Sequence, residues 1–165
     1  MGMAGILGYM LTWTTYGTWV QGDRRGYVKD GEVLAGNERL EKSNRDLQAG
    51  AVVRLSDAEQ GIVDEAIRRE AKARGQCILA LAVNRMHVHL VARCSEAPIG
   101  RVVAWYKSAG RLALKRLGRV GRVWTRGYDK RFCFDHDALE TRIRYVESHN
   151  GGSEHGMDNS QVNPA

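Results

Sequence analysis

Residues 77–93 read CILALAVNRMHVHLVAR, and the reading of this stretch decides the fold. Residues 77–83 are almost wholly apolar, which over so short a run predicts a central strand. Asn84 and Arg85 form a tight connection and residues 87–93 read as the next strand, so the two should pair as an antiparallel hairpin. Alternation in the second strand sends His87 and His89 to one face and Val88 and Leu90 to the other. Two imidazoles side by side on a rigid strand can hold one divalent metal ion. From this triplet alone, two exposed or hydrogen-bonded histidines on a half-polar sheet face would read the same way.

Working outward toward the N-terminus, Ser56-Asp57-Ala58-Glu59 is a capping box followed by Ile62, Val63, Ala66, Ile67 and Ala71 at helical spacing, and Gly75 ends that helix. Residues 9–20 (YMLTWTTYGTWV) are rich in aromatic and β-branched side chains and predict a first strand, broken by Gly17 and Gly22. Residues 23–50 are polar, contain Gly and lack periodicity, so they read as a long loop or partly ordered insertion. Toward the C-terminus, Pro98 opens a second helix that runs to about Leu117. Residues 123–134 are aromatic and basic, a loop running into a last strand at Phe132-Cys133-Phe134. Asp135 caps a final helix over 136–149 whose buried stripe is Leu139, Ile143 and Val146. Residues 151–165 have almost no apolar side chains and read as a disordered tail.

The order strand, helix, strand, strand, helix, strand, helix predicts an α+β fold. It is a ferredoxin-like antiparallel sheet with helices packed on one face, plus a C-terminal helix. A chain of 165 residues and 18.4 kDa suits one domain, here residues 1–150. No apolar run reaches membrane-spanning length, and residues 6–13 lack the flanks of a signal peptide. Cys77, Cys94 and Cys133 are odd in number without paired spacing. That argues for a reducing, cytoplasmic setting and against a disulfide scaffold or cysteine zinc site.

The net charge of +6 is unevenly placed. Residues 101–131 carry ten Lys or Arg against one acid, while the rest of the chain holds 15 basic and 18 acidic residues. All the excess positive charge therefore lies in one block, which reads either as a solvated helix face or as a polyanion-binding surface. Aromatic residues interleave with the cations, as single-strand binding requires for base stacking, although they would serve equally as core. The residues offered for nucleic-acid contact are Lys107, Arg111, Lys115, Arg116, Arg122, Trp124, Arg126 and Tyr128.

On the final helix Tyr145 and His149 lie four residues apart and share one face, away from the apolar stripe. A helical tyrosine alone is usually a packing aromatic, and a histidine at a helix end suits the dipole. Facing a sheet that bears His87 and His89, however, the pair would assemble three nitrogen ligands and a nucleophile, the usual form of a catalytic metal site.

Met86-His87-Val88-His89-Leu90 resembles the His-hydrophobic-His motif of the HUH endonucleases. Arg144-Tyr145-Val146-Glu147-Ser148-His149-Asn150 resembles the tyrosine helix of their single-tyrosine transposases, the insertion-sequence-200-type and REP-associated enzymes. Trp124-Thr125-Arg126-Gly127-Tyr128 and residues 11–19 are also similar to such proteins, so the resemblance spans most of 9–150. It implies that Tyr145 is the nucleophile and that His87 and His89 bind Mg²⁺ or Mn²⁺. It also implies a third ligand at His149, where many relatives carry an amide. That departure shifts preference toward Mn²⁺ or another transition metal. A second departure is Asn150-Gly151, where REP-associated members usually continue Asn-Pro. The implied activity is cleavage and rejoining of single-stranded or hairpin DNA through a 5′-phosphotyrosine, by a family that commonly dimerises.

The rival from another class is a catalytically inactive or domesticated DNA-binding regulator on the same fold, which would have no need of all three residues His87, His89 and Tyr145. A two-histidine phosphoesterase would want two His-x-Ser/Thr motifs, and the sequence has none. A zinc hydrolase lacks a carboxylate at recognisable ligand or base spacing.

Overall fold

A computed structural model of the chain describes residues 5–18, 27–29, 32–34 and 52–150. Strands β1 (Gly8–Thr14), β4 (Ile78–Val83), β5 (His87–Arg93) and β6 (Asp129–Cys133) form one sheet in the order β4-β5-β1-β6, every neighbouring pair antiparallel. Helix α1 (Asp57–Ala73) crosses between β1 and β4, and α2 (Ile99–Arg116) between β5 and β6. The two β-α-β crossovers interleave, which is the ferredoxin-like arrangement, and α3 (His136–Ser148) follows. The β4–β5 hairpin closes where Asn84 N–H donates to the His87 carbonyl at 2.8 Å.

Alternation divides the sheet into two chemically distinct faces. Tyr9, Leu11 and Trp13 of β1 and Val88, Leu90 and Ala92 of β5 point to the main core, where they meet Val63, Ile67 and Ala71 of α1 and Val102, Val103, Tyr106 and Leu114 of α2. The opposite face buries Met10, Ala80, Ala82, Val91 and Cys133 beneath Leu139 and Val146 of α3, with Ile143 half-buried beside them. The β4–β5 register shifts between Ile78 and Ala80, opposite Ala92 and Val91 of β5. Among the described residues α3 is the one helix on its face, and His87 and His89 project from that face at the hairpin end of β5.

Helix starts agree with the sequence. Ser56 and Glu59 complete the capping box of α1, and Asp135 accepts from Ala138 N–H at 2.7 Å to start α3. The strands differ more. β1 ends at Thr14 rather than at residue 20, because Thr15 and Tyr16 give their N–H groups to the carbonyls of Met86 and Val123 and the chain then turns at Gly17 (φ +85°). β6 starts earlier than Phe132. Its residues Asp129, Lys130 and Arg131 are exposed yet pair with β1, and an edge strand shows little hydrophobic signature. Within the predicted loop 23–50, β2 (Tyr27–Lys29) and β3 (Glu32–Leu34) form a two-stranded antiparallel sheet. The rest of that segment and the predicted tail 151–165 lie outside the described residues. Among the described residues no helix is long and apolar enough to cross a membrane.

Gly8 of β1 lies close under both β5 and α3. A Cβ there would lie 2.6 Å from the Ala92 carbonyl oxygen and 2.9 Å from Leu139 Cδ1. Since one neighbour is backbone, Gly8→Ala should cost about 1–3 kcal/mol and loosen the docking of α3. Chemical denaturation monitored by circular dichroism measures this, and an unchanged midpoint would show that the contact yields freely.

Candidate active site

Four side chains from two distant segments meet on the α3 face. His87 and His89 project from β5 at the hairpin end, and Tyr145 and His149 come down from the last turn and C-cap of α3. Ring centroids lie 4.6 Å apart for His87–His89, 5.1 Å for His89–His149 and 4.6 Å for Tyr145–His149, with Tyr145 5.6 Å from His89. One nitrogen from each of His87, His89 and His149 falls within 4.8 Å of the others. Among the described residues this is the one group of three or more His, Cys, Asp or Glu placed to hold a metal ion.

Each imidazole has a polar partner. His89 is buried, and its Nδ1 meets Thr12 Oγ1 at 2.8 Å, across the Thr12–His89 register pair. His149 Nδ1 lies 2.8 Å from the Tyr145 carbonyl, which can only accept, so Nδ1 is the donor in that bond. The Asn84 amide nitrogen approaches His87 Nε2 at 2.9 Å. Asn150 donates its amide N–H to the Leu81 carbonyl at 2.8 Å, tying the end of α3 to β4. Such outer contacts fix ring orientation and tautomer in metal sites.

Burial sets the charge state. It lowers the pKa of His89 to about 4, with the neighbouring His87 and His149 rings adding to the effect. His87 is lowered by burial and then by His149. Both strand histidines are therefore neutral at physiological pH, the form that ligates metal. Three imidazoles without a carboxylate fit a divalent transition ion better than Mg²⁺, which favours oxygen donors. Thr12→Val should remove the orienting bond on His89 and lower Mn²⁺ affinity about 10- to 100-fold with the fold intact, as measured by calorimetric titration. Equal affinity would mean that packing alone orients the ring.

Tyr145 is 45% exposed beside this cluster, an accessible phenol next to the buried His89 and the half-buried His87 and His149. Tyr106, by contrast, is fully buried in the main core with its pKa pushed upward, so it is no rival nucleophile.

The basic block is not gathered the same way. Arg111, Lys115, Arg116 and Arg126 are exposed and make no ion pair among the described residues. Arg122 lies over the Tyr16 ring at 4.9 Å, and Tyr128 is half-buried against the core. Lys107 donates its ammonium to the Thr125 and Gly127 carbonyls at 2.9 and 2.6 Å, and burial lowers its pKa to about 8. Its visible role is to hold the loop before β6. Trp124 corrects the sequence expectation. It is 7% exposed, packs edge-on against Trp13 and donates its indole N–H to the Lys107 carbonyl, so its ring has no face left for a base. Thr12, Asn84 and Asn150 were not foreseen. Asn84 lies only three residues before His87 and could have been flagged, whereas Thr12 and Asn150 depend on long-range pairing.

The fold and this cluster define a ferredoxin-like domain carrying a histidine triad beside a helix-borne tyrosine. The architecture matches that of a REP-associated tyrosine transposase bound to a REP hairpin, with a TM-score of 0.53 and 12% identity over 88% of this chain and 67% of that one. A protein from Deinococcus radiodurans R1, provisionally described as a transposase, aligns with a TM-score of 0.44 and 18% identity over 89% and 93% of the two chains. The shared fold rests on the first of these. No protein-family model and no curated protein matches the sequence.

Proposed function

We propose that this chain is a single-tyrosine transposase of the HUH type, which cuts and rejoins single-stranded DNA through Tyr145. The observation that carries the reading is the convergence of Tyr145 with His87, His89 and His149 in one chain. The fold shared with a transposase that is bound to a REP hairpin supports DNA, single-stranded or folded as a hairpin, as the substrate here.

In this reaction the Tyr145 hydroxyl oxygen attacks the scissile phosphorus as its proton leaves. The bond from phosphorus to the 3′ oxygen breaks, and that oxygen departs as a free 3′-hydroxyl after taking up a proton. The 5′ phosphate stays esterified to Tyr145. Attack by another 3′-hydroxyl reverses the sequence and joins a new strand, so no nucleotide cofactor is consumed. A divalent ion held by His87, His89 and His149, Mn²⁺ in preference to Mg²⁺, would polarise the phosphate and stabilise its developing charge. The exposed cations Arg111, Lys115, Arg116, Arg122 and Arg126 supply backbone attraction, with Tyr128 at the loop.

Incubation with Mn²⁺ and end-labelled single strands from beside its own gene, followed by denaturing electrophoresis, tests the reading. A slow-migrating labelled adduct is the predicted result. Binding without adduct, across several flanking sequences and with either metal, would instead support a DNA-binding regulator.

A further inference from the structure

β6 is an edge strand, and among the described residues nothing pairs with its outer side. Register with β1 sends Asp129 and Arg131 to the α3 face and Lys130 and Phe132 to the face of α1 and α2. Around that second face run an aromatic, a cation and two more aromatics at every other position: Tyr128, Lys130, Phe132 and Phe134. Tyr128 and Phe132 are half-buried against the core, so their positions are set by packing. Phe134 is 64% exposed, large and apolar, with no burial to account for it. Its ring centroid stands 6.4 Å from that of Phe132, and the Lys130 ammonium lies 5.7 Å from the Phe132 ring.

Isolated exposed apolar residues are ordinary, but an aromatic row interleaved with a cation on an open edge is the composition of a base-stacking platform. The nearby acids do not oppose a phosphate chain. Asp129 is paired with Arg131 on the other face, and Asp135 is engaged as the cap of α3. Asp129 pairs with Thr12, which pairs with His89, so β6 starts two strand spacings, roughly 10 Å, from His89, and the row runs away from the histidines along the opposite face of the sheet.

Building on the transposase reading, we propose that the β6 edge holds unpaired bases of the bound strand away from the cleaved phosphate, stacked on Phe134 and Phe132 with Lys130 against the backbone. The occupant is single-stranded DNA, not a duplex stem, because paired bases offer no free faces.

Fluorescence anisotropy with a short labelled single strand and with a blunt-ended hairpin tests this at fixed salt. Phe134→Ala should weaken single-strand binding roughly 5- to 100-fold and leave the blunt hairpin unaffected. Phe134→Tyr should restore binding and Phe134→Leu should not. Lys130→Gln should reduce the slope of log affinity against log salt by about 0.7, whereas Phe134→Ala leaves that slope alone. Unchanged single-strand affinity in Phe134→Ala, with the Tyr145 adduct still forming, would overturn this proposal and leave the transposase reading standing. Rescue by Leu as well as by Tyr would also overturn it, because an apolar protein contact rather than base stacking would then explain the patch. If the wild type forms no adduct on any strand but Phe134→Ala still loses single-strand affinity selectively, the transposase reading falls and the platform stands.

Discussion

Tyr145→Phe abolishes covalent attachment to DNA, with the rate of adduct formation falling at least about a thousandfold while affinity for the same strand changes less than about twofold. The substitution is well isolated. Phenylalanine keeps the ring whose centroid lies 4.6 Å from that of His149 and 5.6 Å from that of His89, and among the described residues the half-exposed Tyr145 has no hydrogen bond through its hydroxyl. Only the hydroxyl oxygen is lost. Adduct persisting in this variant would move the nucleophile elsewhere, with Tyr128 the first alternative because Tyr106 is sealed in the core.

The second large effect concerns the metal. His89→Ala and His87→Ala should each lower Mn²⁺ affinity at least about 100-fold and remove metal-dependent cleavage, whereas His149→Ala, which leaves both strand ligands, should do less damage. Protonation should have a parallel effect on the metal-free wild type. Because the folded-state pKa of His89 is lowered from 6.5 to about 4, the unfolded chain binds the extra proton first. The stability due to the neutral ring is therefore complete above pH ~6.5 and declines as pH falls from there toward about 4, by on the order of 3 kcal/mol for His89. His87, lowered in the same direction, steepens the decline. Saturating Mn²⁺ at neutral pH should raise the melting temperature of the wild type and not of His89→Ala. Thermal melts across pH, with and without metal, check both statements. A wild type indifferent to Mn²⁺ would remove the metal centre from the account.

Much of this was legible in the sequence because the signals were local. The hairpin at 77–93 follows from an apolar run, a short polar break and strict alternation, which also places His87 and His89 on one face. The capping box at Ser56 and the cap at Asp135 start their helices where expected, and a four-residue spacing puts Tyr145 beside His149. Non-local features were hidden. β6 owes its existence to backbone bonds with β1, so its polar residues Asp129, Lys130 and Arg131 gave no apolar pattern to read. The bond from Thr12 to His89 depends on a register between strands 77 residues apart. Trp124 looked like a stacking residue because composition cannot tell an aromatic among cations at the surface from one turned inward. Here the indole is drawn into the core by Trp13 and by the Lys107 carbonyl. Lys107 shows the same ambiguity for a cation, since its charge is directed at two carbonyls of its own chain.

The most direct measurement is mass spectrometry of the tryptic peptides after the protein has reacted with Mn²⁺ and a short oligonucleotide and the DNA has been trimmed with nuclease. Cleavage after Arg144 releases a peptide that begins at Tyr145 and contains no other tyrosine of the sequence. The account predicts a nucleotide mass on that peptide, with fragment ions placing it on Tyr145. A nucleotide mass on any other tyrosine, or cleaved DNA with no modified peptide, would contradict it.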